Sequence, residues 1–170
     1  MSVCRKRLII WLILAGIFVA AGIATDLMLK TESFPVFVRI LGLVGMILAH
    51  FPLKRTGRLL SSLGEQEEWG CTSRLVTTDI YKCVRHPHHL MIGIFMTFLG
   101  LLIGHLGSFL IIIISQWTWV LVFLFLVEEK ELVEKFGEEY KAYRNKVPML
   151  FPKPVCVFKV FTTSIKEPTG

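Results

Sequence analysis

Four apolar blocks limit what this chain can become. Residues 8–25, 34–51, 90–104 and 106–127 hold one formal charge between them, Arg39. A soluble domain is usually about 45–50% apolar and shows no long charge-free runs. This chain is 54% hydrophobic over 170 residues, with the apolar residues gathered into blocks. In a bilayer core every backbone N–H and C=O must be satisfied within the protein, which makes each block a helix. The sequence therefore predicts an all-α, polytopic membrane protein of about four spans, with no sheet. The third block is short for a span, so His88 and His89 are expected to extend it at its start.

Arg5–Lys6–Arg7 before the first block resembles the start of a signal peptide, but the block is long enough to span. No small-x-small cleavage site follows it, and it reads as a retained first helix. Residues 26–33 form a short polar link, residues 52–78 a long one beginning at Pro52, and residues 104–108 a tight turn. The net charge of +6 comes from basic residues that flank the blocks. Lys and Arg cluster at the N-terminus, in the 52–89 link and at 130–153, so the positive-inside rule puts both chain ends on the cytoplasmic face. No basic stripe with interleaved aromatics stands apart from the membrane, so nucleic acid is not expected as a partner.

Residues 128–147 change character. Leu132, Phe136, Tyr140, Tyr143 and Val147 recur every three to four residues, with charges on the other faces. That is an amphipathic helix leaving the fourth span or lying on the membrane surface, ended by Pro148 and Pro152. Residues 153–170 have no strong period and read as a tail, leaving one domain over 1–170 with its chemistry in residues 64–152.

The stretch from Leu75 to Gly93 crowds Tyr81, Arg85, His86, His88 and His89 around Pro87 at a membrane boundary. Proline stops a helix arriving from before it and sets φ for the next one. The following helix would open with free amides suited to an anionic ligand group. The predicted topology brings this stretch beside Glu128, the first acid after the fourth span. Glu128 could hold an ammonium or pair with Arg85; Glu129 to Glu139 read as a solvated helix extension. Consecutive histidines point in different directions and no acid lies at i+3 or i+4, so no metal site is expected. Cys4, Cys71, Cys83 and Cys156 lack C-x-x-C spacing and read as scattered reduced thiols. His50 reads as an interfacial histidine. Gly100 and Gly104 form a small-xxx-small pair that would admit close helix packing. No Walker loop or G-x-G-x-x-G is present.

Two segments carry a family resemblance. LVTTDIYKCVRHPHHL resembles the Leu-Val…Tyr…Arg-His-Pro stretch of the membrane methyltransferases related to isoprenylcysteine carboxyl methyltransferase and phospholipid methyltransferases. EEKELVEKFGEEYKAYRNKVPMLFP resembles their C-terminal Glu-Glu…Phe-Gly…Tyr…Val-Pro segment. The resemblance covers roughly the second half of the chain. It implies S-adenosylmethionine as methyl donor, held at the cytoplasmic face, and a lipophilic or prenylated acceptor. By position, cofactor contacts would fall on Ser73, Arg74, Leu75, Val76, Tyr81, His86, Pro87, His88, His89 and Glu128, with Gln66 a weaker match. Tyr81 with Leu75 and Val76 would sandwich the adenine, amides after Pro87 would take the carboxylate, and Glu128 the amino group. His89 is the residue expected to take a proton from a neutral acceptor. Four positions depart from the family: Asp79 replaces a usual glycine, His89 a tyrosine, Met91 a common glycine, and Leu124 an arginine that meets substrate in the carboxyl methyltransferases. Membrane steroid and sterol reductases that use NADPH share an Arg-His-Pro-like stretch and are one alternative; a non-catalytic protein that keeps the fold is the other. The acceptor, the oligomeric state and the membrane, prokaryotic plasma membrane or endoplasmic reticulum, stay open.

Overall fold

The computed structural model describes residues 3–68, 71–152 and 154–156. Its elements are α1 (Val3–Leu29), α2 (Val36–Leu63), a short hairpin of β1 (Gln66–Glu68) and β2 (Cys71–Thr72), and a 3₁₀ turn (Asp79–Lys82). Then follow α3 (Pro87–Ile103), α4 (Leu106–Phe123), a π-helical turn (Leu124–Glu128) and α5 (Glu129–Lys146). The fold is all-α, and the hairpin is the one strand pair among the described residues. Three helical stretches are long and apolar enough to cross a membrane: Arg5–Leu29, Val36–Leu63, and Leu106–Lys146, which runs on through α5. The fourth, α3, has 17 residues, about 25 Å against a hydrocarbon core of about 30 Å. Leu12, Ile17 and Leu27 of α1 and Phe37, Ile40, Leu48 and Phe51 of α2 are exposed. Such a surface is untenable in water and ordinary against lipid.

The apolar blocks underestimate the helices. α2 does not stop at Pro52 but carries it inside and runs on to Leu63. A proline deletes one backbone bond and crowds the preceding turn; neighbouring helices and Ser or Thr side chains can re-satisfy what it frees. One turn further on, Thr56 Oγ1 donates to the Leu53 carbonyl at 2.9 Å, a bond separate from the Leu48 carbonyl that Pro52 leaves without its partner. The extension carries Thr56, Gly57 and Arg58 alongside the start of α3. Deeper in, Gly42, Gly45 and Ala49 of α2 are buried. A Cβ on Gly42 would lie 2.5 Å from the backbone nitrogen of Leu102 in α3, so the absence of a side chain sets the closeness of this pair. Of the glycine pair read from the sequence, Gly100 meets Phe109 of α4. Gly104 instead caps α3 in the left-handed region, with φ +86°.

The end of the bundle away from the chain termini is stitched by polar contacts. Asp26, still inside α1, accepts from the backbone N–H of Ser108 at 3.0 Å, from the Ser108 hydroxyl and from Thr31 Oγ1. It thereby caps α4, whose own Ncap, His105, offers no side-chain bond. Phe34 N–H to Gly104 O at 2.7 Å and Leu106 N–H to Glu32 O at 3.1 Å zip the two connections together.

At the opposite end, the π-helical turn leads α4 directly into α5. α5 is not straight: Gly137 sits at φ 54°, ψ −127°, outside helical geometry. Its apolar stripe turns back over the mouth of the bundle, where Leu132, Phe136, Tyr140 and Tyr143 line one cavity, the two tyrosines buried and Leu132 and Phe136 half-buried. The cysteines are a correction. Cys83 and Cys156 form a disulfide, Cys71 is also disulfide-bonded, and no free cysteine is present among the described residues. Cys83 and Cys156 lie 73 residues apart, so spacing alone did not show their pairing.

Candidate functional site

The motif stretch folds as a tight polar knot. His86 is the Ncap of α3 and Pro87 its first helical residue, the position where a missing N–H costs nothing. The segment after α5 straps the knot down: Arg85 N–H donates to Pro148 O at 2.9 Å and His86 N–H to Met149 O at 3.1 Å. The second Val-Pro motif thus lies directly on the Arg-His-Pro motif.

α4, the π turn and α5 bring the two acids to the knot. Successive residues of a helix point about 100° apart, so Glu128 and Glu129 reach different sides of one imidazole. His86 Nε2 donates to Glu129 Oε1 at 2.7 Å, while His86 Nδ1 faces Glu128 Oε1 at 3.6 Å. Glu128 Oε2 lies 3.5 Å from His89 Nε2. Arg85 pairs with Glu129, not with Glu128, through Nη1 to Oε2 at 2.7 Å. The Tyr140 hydroxyl also donates to Glu129 at 2.7 Å. Glu129 is therefore a buried hub rather than the solvated acid expected. Burial works against a charged His86, but the two carboxylates outweigh it and hold its pKa above the ordinary histidine value. Burial, followed by the nearby charge of Glu128, pushes the Tyr81 phenol well up.

These groups open onto one cavity of about 440 Å³. Leu75, Val76, Tyr81, His86, His88, His89 and Glu128 all line it. His88 meets Thr56 Oγ1 at 3.2 Å and stands edge-on to His89, with ring centroids 6.3 Å apart. Tyr81 is fixed by its own carbonyl, which accepts from Tyr143 OH at 2.6 Å. Ser73, Arg74 and Pro87 do not line the cavity. Ser73 and Arg74 donate backbone N–H groups to Gly64 O and close the loop after the hairpin; Pro87 is buried at the helix start. Gln66 lies in β1, with its side chain outside the described residues.

Several lining residues gave no sequence signal. Arg7 and Trp11 come from α1, and Arg58 and Ser61 from the extension of α2. Arg7 is ion-paired with Glu131. Trp11 packs its ring on His89 and Phe123, each at a centroid distance of 5.4 Å. Tyr140 and Tyr143 were legible only as members of an apolar stripe.

The departures from the family are absorbed. Asp79 has φ 53°, a region glycine enters freely and aspartate more readily than most residues. It is held by Arg55 at 2.6 Å and accepts from the N–H of Ile80 at 2.6 Å. Met91 packs against the apolar core and is not among the cavity's lining residues. Leu124 is fully buried in that core, with Trp11, Leu90 and Val120.

Sequence comparison agrees with this architecture. The profile described as "Phospholipid methyltransferase" matches residues 31–139. The chain is 33% identical over 109 residues to the methanethiol S-methyltransferase of Pseudomonas deceptionensis, a match covering 62% of this chain and 38% of that protein. It is 38% identical over 80 residues to methanethiol S-methyltransferase 2 of Bradyrhizobium diazoefficiens, covering 45% of this chain and 28% of that protein. With the protein-S-isoprenylcysteine O-methyltransferase of Schizosaccharomyces pombe it shares 39% identity over 80 residues, 46% of this chain and 33% of that protein. These matches thus span well under half of the curated relatives' length. The two motif segments meeting in one cavity, together with the profile match over most of the chain, place the protein in the phospholipid methyltransferase family.

Proposed function

We propose that the chain is a membrane methyltransferase that binds S-adenosylmethionine in this cavity and passes its methyl group to a lipophilic acceptor. The observation that supports this best is the convergence of Tyr81, His86 and His89 with Glu128, from opposite ends of the motif-bearing region, on one cavity that also has apolar walls at Leu75 and Val76. In this reading the adenine lies between Tyr81 and the Leu75–Val76 pair. The amino group of the cofactor meets Glu128, and its carboxylate meets the start of α3. Little further chemistry is asked of the protein, because a sulfonium is already a reactive methyl donor and alignment with desolvation carries the rate.

Names among the relatives point to methanethiol in bacteria and to isoprenylcysteine in yeast. Leu124 is sealed in the apolar core, so no cation is available from that position to receive a prenylcysteine carboxylate. We propose a thiol as the first acceptor, on the names of the bacterial relatives, taken up from the membrane; a carboxylate acceptor would instead have to meet Arg7, Arg58 or Lys135 in the cavity wall. A neutral thiol must lose its proton on methylation, and in this reading His89, 3.5 Å from Glu128, takes it.

Calorimetry in detergent tests the cofactor: S-adenosylhomocysteine should bind and NADPH should not. Glu128→Gln should weaken that binding by roughly ten- to a hundredfold, the loss of one charge-assisted hydrogen bond of about 1.5–3 kcal/mol. Radiolabelled methyl transfer to short-chain thiols, prenylated thiols and a total lipid extract tests the acceptor. If Glu128→Gln leaves affinity intact and abolishes turnover, the glutamate is catalytic and the division of roles is wrong.

A further inference from the structure

We propose that His86, His89 and Glu128 form a site for a divalent transition-metal ion of the zinc type, and that this ion competes with the cofactor's amino group for Glu128. The histidines converge because they lie three residues apart, one at the Ncap of α3 and one in its first turn, which puts both on the same side of the helix. Glu128 arrives from a different helix and offers one oxygen to each ring. One ligand atom from each of the three lies within 4.8 Å of the others.

The spacing suits ligands of one ion as well as the ion pairs these groups make without it. His86 Nδ1 and His89 Nε2 stand 3.6 and 3.5 Å from the two Glu128 oxygens, beyond the usual 2.7–3.2 Å of an N–H···O bond. Two donors each about 2.1 Å from one ion, at an angle of about 115°, are separated by about that much. The His86 side chain is 3% exposed, so its Nδ1 does not simply turn to bulk water.

A second observation points the same way. Metal-binding histidines usually give their other ring N–H to a carboxylate, which fixes the tautomer and orients the ring. Glu129 does this for His86 at 2.7 Å, and is itself held by Arg85 and Tyr140. With Nε2–H given to Glu129, His86 turns Nδ1 toward Glu128, and an ion bound there displaces the Nδ1 proton and takes the lone pair. The donor set, two imidazoles and one carboxylate, suits zinc, cobalt or nickel rather than calcium or magnesium. The site opens onto the cavity, which leaves coordination positions for water.

The metal site stands on this geometry alone; its competition with the cofactor rests on the function proposed above. The test uses tag-free, EDTA-stripped protein in lipid nanodiscs, titrated with Zn²⁺ by calorimetry and with Co²⁺ by its visible absorption. One equivalent of saturable binding with an inner-sphere Co²⁺ spectrum is expected. Glu128→Gln and His89→Phe should each weaken binding at least tenfold, and Glu129→Gln by roughly ten- to a hundredfold through the ring it orients. His50→Ala, on the lipid-side stretch of α2, should leave binding unchanged. Circular dichroism and gel filtration check that each variant is folded, and His89→Phe keeps the aromatic wall should Glu129→Gln fail that check. Absence of saturable binding, or equal binding by wild type, Glu128→Gln and His89→Phe, overturns the site. Zn²⁺ should also lower the affinity for S-adenosylhomocysteine in wild type; binding of both without mutual effect overturns the competition. If Zn²⁺ binds as described and S-adenosylhomocysteine does not bind at all, the cofactor reading fails and the metal site stands.

Discussion

Replacing Glu129 by glutamine removes one charge from a point where three donors meet. Arg85, His86 and Tyr140 each reach its carboxylate at 2.7 Å, and the Glu129 side chain is 11% exposed. A solvated acid on a helix extension would lose well under 1 kcal/mol on neutralisation. A buried pair broken from one side costs about 3–5 kcal/mol, because the other charge stays behind unpaired. Here the guanidinium of Arg85 would be stranded, with its buried Nε already lacking a partner among the described residues. Shape is preserved by glutamine and one acceptor oxygen remains, so the lower end, about 3 kcal/mol, is expected. The measurement is reversible unfolding in mixed micelles by a denaturing detergent, on wild type, Glu129→Gln, Arg85→Met and the double variant. The double variant should recover part of the loss, since it removes the stranded charge with its partner. A cost below about 1 kcal/mol for Glu129→Gln, or strict additivity with Arg85→Met, would refute the hub and restore the solvated-helix reading.

Other perturbations probe separate parts of the structure. Gly42→Ala forces a methyl to 2.5 Å from the α3 backbone and should cost about 1–3 kcal/mol by the same assay, while Gly16→Ala, with nothing within 4 Å, should cost nothing. His89→Phe keeps the ring contacts with Trp11 and Phe123 and should spare S-adenosylhomocysteine affinity in metal-free protein while slowing turnover of a neutral thiol. The Tyr81 phenol is pushed up mainly by burial. Its contribution to stability is therefore fully present below the unfolded-state value of about 10 and is lost as pH rises through the higher folded value. Near-ultraviolet absorbance followed with pH should show phenolate only as the protein unfolds, and since all three tyrosines are buried, an early rise would contradict the placement. Peptide mapping without reductant should recover Cys83 joined to Cys156, and reduction should cost about 2–4 kcal/mol of stability.

Asp79 shows how a single-position departure misleads when read without its backbone. The sequence shows an acid where relatives resembling this chain carry glycine, which reads as damage. The structure supplies the missing terms: a left-handed backbone that aspartate tolerates, an ion pair with Arg55 and a bond to the next amide. Arg55 is at hand only because α2 runs through Pro52, which the sequence had marked as a helix end.

The blocks of apolar residues by themselves determined that the chain is helical and membrane-embedded, because a bilayer admits no other arrangement of such runs. Periodicity located the stripe of α5, and the two motifs located Tyr81, His86, His89 and Glu128, because short-range chemistry is written locally. Tertiary structure decided the rest. It turned the α5 stripe over the site instead of onto lipid, gave Arg85 to Glu129 instead of Glu128, and brought Trp11 and Arg7 in from the first helix. It also joined Cys83 to Cys156 across 73 residues. The reason is the same in each case. Which of two adjacent acids meets a given ring depends on about 100° of helix rotation, set here where the π turn joins α4 to α5, and that phase is fixed by packing between elements far apart in the chain.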